Sequence, residues 1–389
     1  MARLALVVVF AASGCAAGRP ILAQAPAAHP TPPPTAVPQA RPSDPQPIVF
    51  PRDDGPHDRL TEWWYDTGHL TAADGRHFGF EFVIFRAERG GFPVSWASHL
   101  ALTDESAGTF RYDQRTAVGP QVDRSPPGGG FDLSIAALDA AGAPGGGGAA
   151  WTMAGLGGRD RLSATSSTAG FGLQLRLDPE GRPPVLHGAG GWVDFGPAGG
   201  SYYYSRPRLS VSGTLDLGGA ALAVTGLAWF DHQWGDFIAV GGGGWDWFAV
   251  DLDDGSAVTL SLVRAADGTY PLVYGTYVEP NGSAVHLGPD AFAVTVLGSW
   301  TSPHTGARYP SGWRLAIPGQ GLTITLQPTV ADQELDTRPS TGVVYWEGSQ
   351  RVSATRDGTP LGGEAYVELT GYGPGLVAPG LASPAGPSR

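Results

Sequence analysis

The feature that most constrains the fold is a repeated hairpin pattern, in which two apolar runs flank a short turn that contains glycine. Residues 60–70 precede the turn Ala73-Asp74-Gly75, and the apolar run Phe78 to Phe85 follows it. Asp-Gly and Asn-Gly pairs supply the positive φ angles of tight hairpin turns. No long segment has helical periodicity, so we predict an all-β protein, built either as a sandwich or as barrels. The pattern recurs at Asp253-Asp254-Gly255, Pro280-Asn281-Gly282 and Asp357-Gly358.

The length of the chain, 389 residues, is sufficient for two domains. The glycine run Gly241 to Gly244 is a candidate hinge between them. We predict a first domain over residues 48–238 and a second over residues 239–375. A barrel of about eight strands fits in either domain and can enclose one small apolar ligand.

The first residues have the features of an export signal. A short apolar segment, Leu4 to Phe10, follows Arg3, and small residues precede Cys15. Small residues that end in Gly-Cys resemble a bacterial lipoprotein box, in which the cysteine is lipidated. We therefore expect residues 1–14 to be a signal peptide and Cys15 to carry a lipid anchor. The protein would then be an exported cell-envelope lipoprotein, periplasmic or on the outer cell surface; an ordinary export signal that contains a cysteine is the alternative.

Two further compositional features bear on the ends of the chain and on its partners. Residues 15–47 are rich in alanine and proline and predict an extended tether, and residues 376–389 predict a flexible tail. The net charge is −12 and the chain has no lysine. Binding to nucleic acid needs clustered cations, so we expect no nucleic-acid partner.

Two segments combine aromatic and ionisable residues more densely than the rest of the chain. In residues 61–69, strand alternation predicts one face with Trp63, Tyr65, Thr67 and His69, and an opposite face with Glu62, Trp64 and Asp66. In residues 228–236, the same alternation separates His232 and Trp234 from Asp231 and Gln233. The first segment fits either the wall of a ligand pocket or a core strand with satisfied polar partners. The second fits either a catalytic or ligand-orienting site or a structural polar plug that closes a barrel end.

From these segments we predict the residues of a functional site. The catalytic candidates are Asp231, His232 and Trp234. We predict no cofactor, and no metal site by spacing, although neighbouring strands could bring His69, His77 and His99 together. The predicted ligand-binding residues are Trp63, Trp64, Tyr65, His69, His99 and Trp247.

Several motifs, taken together, resemble the carotenoid 1,2-hydratase/AttH-like family. They occur in the order found in that family and cover residues from about 50 to 373. The resemblance implies two tandem lipocalin-like antiparallel β-barrels with a site for an apolar ligand. The motifs are Thr61-Glu62-Trp63-Trp64-Tyr65 with Thr67-Gly68-His69-Leu70, residues 78–86, residues 97–104, Trp229-Phe230-Asp231-His232-Gln233-Trp234-Gly235, Trp245-Asp246-Trp247-Phe248, Tyr345-Trp346-Glu347-Gly348 and residues 363–372.

The resemblance also suggests a chemistry. Hydration of an isoprenoid double bond needs a carboxylic acid that stays protonated in an apolar site, aromatic faces near the cation, and a base for water. His232 and Trp234 fall on the His-x-Trp of the hydratases. Those enzymes also use a Tyr-x-Asp pair about thirty residues further on. The corresponding segment of this chain, residues 258–264, contains neither tyrosine nor aspartate.

Two functions therefore remain. The first is the binding of a small apolar ligand, lipid or isoprenoid in type, by an exported lipocalin-like protein. The alternative is a hydratase-like or hydrolase-like enzyme that acts at the segment Asp231-His232-Gln233-Trp234.

Overall fold

The computed structural model describes residues 43–136, 148–237 and 242–373. The predicted signal peptide, Cys15, most of the tether and the predicted tail lie outside these residues. Within them no helix is long and apolar enough to cross a membrane. The helical segments in this part of the chain are 3₁₀ turns of three residues each, namely Arg52–Asp54, Pro120–Val122, Gly196–Ala198 and Pro318–Gln320.

The first sheet contains twelve strands. Ten follow the spatial order β4-β3-β2-β1-β12-β11-β8-β7-β6-β5, and β9 and β10 pair with β11. The strands are β1 Thr61–Ala72, β2 His77–Ala87, β3 Ser95–Asp104, β4 Thr109–Val118, β5 Phe131–Ile135, β6 Trp151–Leu156, β7 Arg159–Ser166, β8 Phe171–Asp178, β9 Val185–Leu186, β10 Trp192–Asp194, β11 Gly200–Asp216 and β12 Ala221–Gly235.

The second sheet contains eleven strands. Nine follow the order β16-β15-β14-β13-β23-β21-β19-β18-β17, and β20 and β22 pair with β21. The strands are β13 Gly242–Leu252, β14 Ala257–Ala265, β15 Leu272–Val278, β16 Ala284–Leu287, β17 Ala293–Thr301, β18 Arg308–Ile317, β19 Leu322–Pro328, β20 Glu334–Asp336, β21 Val344–Arg356, β22 Thr359–Leu361 and β23 Gly363–Thr370.

The two sheets share one plan. In each, the first strand pairs with the second and also with the last, so β1 lies between β2 and β12, and β13 lies between β14 and β23. All pairings are antiparallel, and the sheets curl into barrels. The hairpin turns lie where the sequence predicts them, with φ of 86° at Gly75, 88° at Gly255 and 89° at Gly282. The predicted all-β architecture of two tandem barrels is thus confirmed.

The three largest apolar clusters hold most of this architecture together. The first barrel is filled by large aromatic side chains, among them Trp64, Phe82 and Trp151. The second barrel has its own core around Phe248 and Trp313. A third cluster lies between the barrels and joins Tyr65, Val83 and Trp229 of the first to Trp247, Ala249 and Tyr366 of the second. The outward faces of the two first strands are therefore buried against each other.

Three glycines of the predicted hinge, Gly242 to Gly244, belong to the first strand of the second barrel. Gly242 begins β13, and the pairing register of that strand with β14 shifts between Gly242 and Gly244. Gly244 has φ of 100°, a conformation that glycine adopts without strain. The predicted domain boundary at residues 238 and 239 falls in residues 238–241, outside the described part of the chain.

Candidate functional site

Strands β1 and β12 carry most of the predicted site residues. Their register places Glu62 opposite Trp234 and Trp64 opposite His232. As alternation requires, the two halves of each segment face different surroundings. Glu62, Trp64, His232 and Trp234 face the interior of the first barrel, whereas Trp63, Tyr65, Asp231 and Gln233 face the second barrel.

Inside the first barrel, two imidazoles converge on one carboxylate. His57, from the loop before β1, places Nδ1 2.8 Å from Glu62 Oε1, and His232 Nε2 lies 3.0 Å from the same oxygen. The His57 ring is stacked on Trp234 at 4.0 Å, and the His232 ring on Trp64 at 4.7 Å. We call His57, Glu62 and His232 the histidine site.

The carboxylate of Glu62 in the histidine site keeps its negative charge although it is buried. Burial alone would raise the pKa of the Glu62 carboxyl, but the two histidines hold it below the usual value. Burial also works against a charged His57, yet Glu62 and Asp53 raise the pKa of that imidazole. The pKa of His232 is lowered, mainly because the ring is fully buried. Among the described residues, the ligand atoms of this set lie within 4.8 Å of one another, so it could hold a metal ion.

Asp231 does not join its sequence neighbour His232. It faces the space between the barrels, where Tyr203 O–H donates to it at 2.5 Å and Trp229 Nε1–H donates at 2.7 Å. The hydroxyl of Ser205 is a third donor. Burial raises the pKa of Asp231 to about 6, and these donors oppose a larger rise. Of the three catalytic candidates, the structure brings His232 and Trp234 together and leaves Asp231 on the other face.

Three more carboxyl groups lie between the barrels, and we call Glu81, Glu347 and Glu368 the interface acids. Tyr345 O–H donates to Glu81 at 2.7 Å, and Tyr65 O–H donates to Glu347 at 2.7 Å. One oxygen of Glu81 and one of Glu347 are buried without a hydrogen-bond partner among the described residues. Unpaired buried carboxylates are unfavourable, so both groups are expected to carry a proton.

The pKa values of the interface acids move in the same direction. Burial raises the pKa of Glu81 to about 8 and that of Glu368 to about 7. For Glu347, burial and the neighbouring charges of Glu81 and Glu368 raise the pKa well above its usual value. Near neutral pH Glu81 and Glu347 are therefore mostly neutral carboxylic acids, and Glu368 is close to half-protonated.

Four of the predicted ligand-binding residues surround the interface acids. The Tyr65 and Trp247 rings meet edge to face at 5.5 Å, and Trp247 Nε1–H donates to Tyr203. His99 lies 2.7 Å from the hydroxyl of Tyr345, and burial lowers its pKa to about 3, so it is neutral. Trp63 lies at the edge of the same cluster, whereas Trp64 is on the opposite face of β1 in the first barrel.

His69 lies at the other end of the interface. It lines a cavity of about 320 Å³ together with His77, Glu105 and Glu364. His69 Nδ1 is 3.1 Å from Glu105, and Nε2 is 2.9 Å from the carbonyl oxygen of Ala365. Both neighbours accept hydrogen bonds, which favours a doubly protonated ring. Burial opposes the charged form of His69, but the nearby acids raise its pKa. His69 and His77 thus share a cavity, whereas His99 lies elsewhere.

The end of the interface next to Trp63 is aromatic and partly open, and we call Trp63, Phe85, Phe237 and Trp245 the aromatic mouth. The ring centroid of Trp63 lies 6.4 Å from that of Phe85 and 5.7 Å from that of Phe237. Trp245, two residues before Trp247 on β13, is 37% exposed and donates its indole N–H to Glu368 at 3.0 Å. Glu368 is itself only partly buried, so one interface acid lies beside Trp245 of the mouth.

The start of the described chain is fixed beside this mouth. Arg59 donates to Asp44 at 2.7 Å and to Asp236 at 2.8 Å, and Asp236 directly precedes Phe237 of the mouth. Gln46 adds a backbone hydrogen bond to Tyr202. We call Asp44, Arg59 and Asp236 the entry clamp.

Sequence reasoning missed the interface acids and His57. Glu81 lies within the apolar run Phe78 to Phe85, where a lone carboxyl is a signal of a special environment. Glu347 and Glu368 lie in motifs used for the resemblance, yet nothing local shows that they meet Glu81. The loop residue His57 has no distinguishing pattern, because its role depends on a contact with β12.

These features define a protein made of two lipocalin-like barrels, with polar groups buried both inside one barrel and between the two. The chain belongs to the AttH-like family, whose sequence profile matches residues 41–372. No curated protein matches the sequence.

Two solved structures place the fold. The crystal structure of an AttH protein from Nitrosomonas europaea is 34% identical, covers 86% of this chain and 98% of its own, and has a TM-score of 0.71. Kievitone hydratase from Nectria haematococca is 19% identical, with 83% of this chain and 93% of its own covered and a TM-score of 0.63. The second likeness concerns the fold alone.

Proposed function

We propose that this chain binds an apolar molecule of isoprenoid type at the aromatic mouth between the two barrels. The observation that carries the proposal is the accessible aromatic surface: Trp245 is 37% exposed, and Trp63 and Phe85 are only partly buried. Apolar pockets with a few polar groups at their base are the usual form of small-molecule sites. Here the polar group next to the exposed indole is Glu368, which accepts from Trp245 at 3.0 Å.

A titration of the purified protein with a fifteen-carbon prenyl alcohol tests the binding, with calorimetry as the readout. Covering the exposed part of one indole contributes about 1.5 kcal/mol, so Trp245→Ala should weaken binding about tenfold. Trp300→Ala is the matched control, since this partly buried tryptophan lies on β17 at the far edge of the second sheet. Equal affinity of wild type and Trp245→Ala, or no binding by the wild type, would overturn the proposal.

A second candidate function, hydration of the bound alkene, is favoured by the position and pKa of Glu368. In this reaction the protonated carboxyl transfers its proton to one alkene carbon, and a carbocation forms at the other. Aromatic faces nearby stabilise the cation. Water adds to it, and the oxonium returns a proton to the carboxylate, so an alcohol forms and the acid is regenerated. A pKa of about 7 suits proton transfer in both directions.

The hydration is measured by mass spectrometry in ¹⁸O-labelled water, since the product gains one labelled water. Glu368→Gln should abolish turnover and leave prenyl-alcohol affinity within a few-fold, because the proton donor acts on the transition state. His232→Ala separates this site from the His-x-Trp resemblance: activity that is lost in His232→Ala and retained in Glu368→Gln would place the chemistry inside the first barrel instead.

We further propose that the protein is exported and anchored through a lipid on Cys15. The support is the order of charge, apolar segment and small residues in 1–15, followed by the alanine- and proline-rich tether. One acyl group binds membranes only marginally, so the stable anchor would need the additional acyl chains of a lipoprotein.

A further inference from the structure

We propose that the histidine site binds one divalent transition-metal ion of the zinc type. The ligands would be His57 Nδ1, His232 Nε2 and a carboxylate oxygen of Glu62. Two imidazoles and one carboxylate are a frequent ligand set of zinc centres that keep one position for water or substrate. The proposal is independent of ligand binding at the aromatic mouth.

The distances require only a small adjustment. Both histidine nitrogens already point at Glu62 Oε1, at 2.8 Å and 3.0 Å. Around zinc, with bonds of about 2.0–2.2 Å, tetrahedral ligand atoms are about 3.4 Å apart. Each nitrogen would therefore move about half an ångström away from Oε1. The two nitrogens, which lie within 4.8 Å of each other, would reach the same spacing by side-chain rotation.

The surrounding side chains hold the ligands in place. The His57 ring lies parallel to Trp234, with an interplanar angle of 1°, and the His232 ring is tilted by 24° on Trp64. The backbone N–H of His57 donates to Glu62 Oε2 at 2.9 Å, which orients the carboxylate. Ligands fixed in this way lose little conformational freedom on metal binding.

The outer partners differ between the two histidines. His57 Nε2 lies 3.4 Å from Asp53, which Arg52 holds in turn, so a carboxylate supports this ligand. His232 Nδ1 has no hydrogen-bond partner in the described ranges of the chain. Such partners typically change metal affinity by about 10- to 100-fold. We therefore expect Asp53 to matter for affinity and the site to be weaker than one in which both histidines are supported.

Access to the site is from the side of His57. Its side chain is 19% exposed, whereas Glu62 and His232 are fully buried. An ion can therefore reach the site after a movement of the His57 loop, without opening of the barrel.

The test uses the purified full chain, stripped with a chelator and then titrated with Zn²⁺, or with Co²⁺ for its visible absorption. We expect one equivalent bound, and at least tenfold weaker binding in His57→Ala and Glu62→Gln. Asp53→Asn should weaken binding about 10- to 100-fold while the cobalt spectrum keeps its shape. Circular dichroism checks that each variant is folded.

The matched control is His304→Ala, which removes a histidine from an exposed pair with Asp332, 2.7 Å apart. Within the described part of the chain this pair is not part of a group of three possible ligands. Binding should be unchanged in this variant. The proposal is overturned if the stripped wild type takes up no metal, or if His57→Ala binds as tightly as the wild type. In either case the three residues form a proton-sharing network only.

Discussion

Replacing Glu81 by glutamine should change how the stability of the protein depends on pH. Glutamine has nearly the shape of a protonated glutamate, and its oxygen can still accept from Tyr345. The wild-type carboxyl has a pKa of about 8 in the folded protein, raised mainly by burial, against 4.5 for an ordinary glutamate. Between these two values the folded protein holds a proton that the unfolded chain has released.

The sign and size follow from this difference. Because unfolding releases the proton, raising the pH favours the unfolded chain, and wild-type stability falls from about pH 4.5 to about pH 8. A shift from 4.5 to about 8 corresponds to about 5 kcal/mol at about 1.4 kcal/mol per pKa unit. Glu81→Gln does not undergo this loss of stability, because glutamine does not titrate. It should match the wild type within about 1 kcal/mol at pH 5 and exceed it by several kcal/mol at pH 8.5.

Urea unfolding, followed by tryptophan fluorescence at pH 5, 7 and 8.5, measures the effect. Glu368 and Asp231 also lose their protons on unfolding in this range, and they do so in both proteins. Because the charge of Glu81 raises the pKa of Glu347, the difference measures Glu81 together with its effect on Glu347. Glu180→Gln, at an exposed position, is the control and should follow the wild type. Wild-type and Glu81→Gln stabilities that fall in parallel between pH 5 and pH 8.5 would refute the assignment of a buried, protonated Glu81.

Two further predictions concern Asp231 and Cys15. Asp231→Ala removes the acceptor shared by Tyr203 and Trp229, so we expect the free energy of unfolding to fall by about 3 kcal/mol; an unchanged urea midpoint would contradict this structural role. Cys15→Ala should move the protein from the membrane fraction to the soluble exported fraction, as measured by immunoblotting. If the wild-type protein is found entirely in the soluble fraction, the lipid anchor is wrong and residues 1–14 belong to an ordinary signal peptide.

The all-β fold was predictable because its determinants are local. The turn at Asp74-Gly75 and the alternation of Trp63 and Tyr65 with Trp64 depend on residues that are neighbours in the chain. The resemblance to a family then extended this prediction from local strands and turns to an architecture of two barrels. The faces were also predictable, since His232 and Asp231 separate as strand alternation requires.

The sites were less predictable because they depend on contacts between distant segments. His57 and Glu62 lie far before His232 in the chain, and they meet it only because β1 pairs with β12. Glu81 and Glu347 come from different barrels. The raised pKa values of these acids result from that packing, so no property of the isolated segments reports them.

The entry clamp has a consequence for how a ligand would arrive. It fixes the chain at Asp44 beside the aromatic mouth, so a tether that leads back to a lipidated Cys15 would start from the same end of the molecule as the mouth. The residues between Cys15 and Asp44 would reach about 90 Å if extended as polyproline. The opening would therefore stay within about 90 Å of the bilayer surface. A poorly soluble isoprenoid could then pass from the membrane to the protein during a collision, without diffusing alone through the aqueous phase.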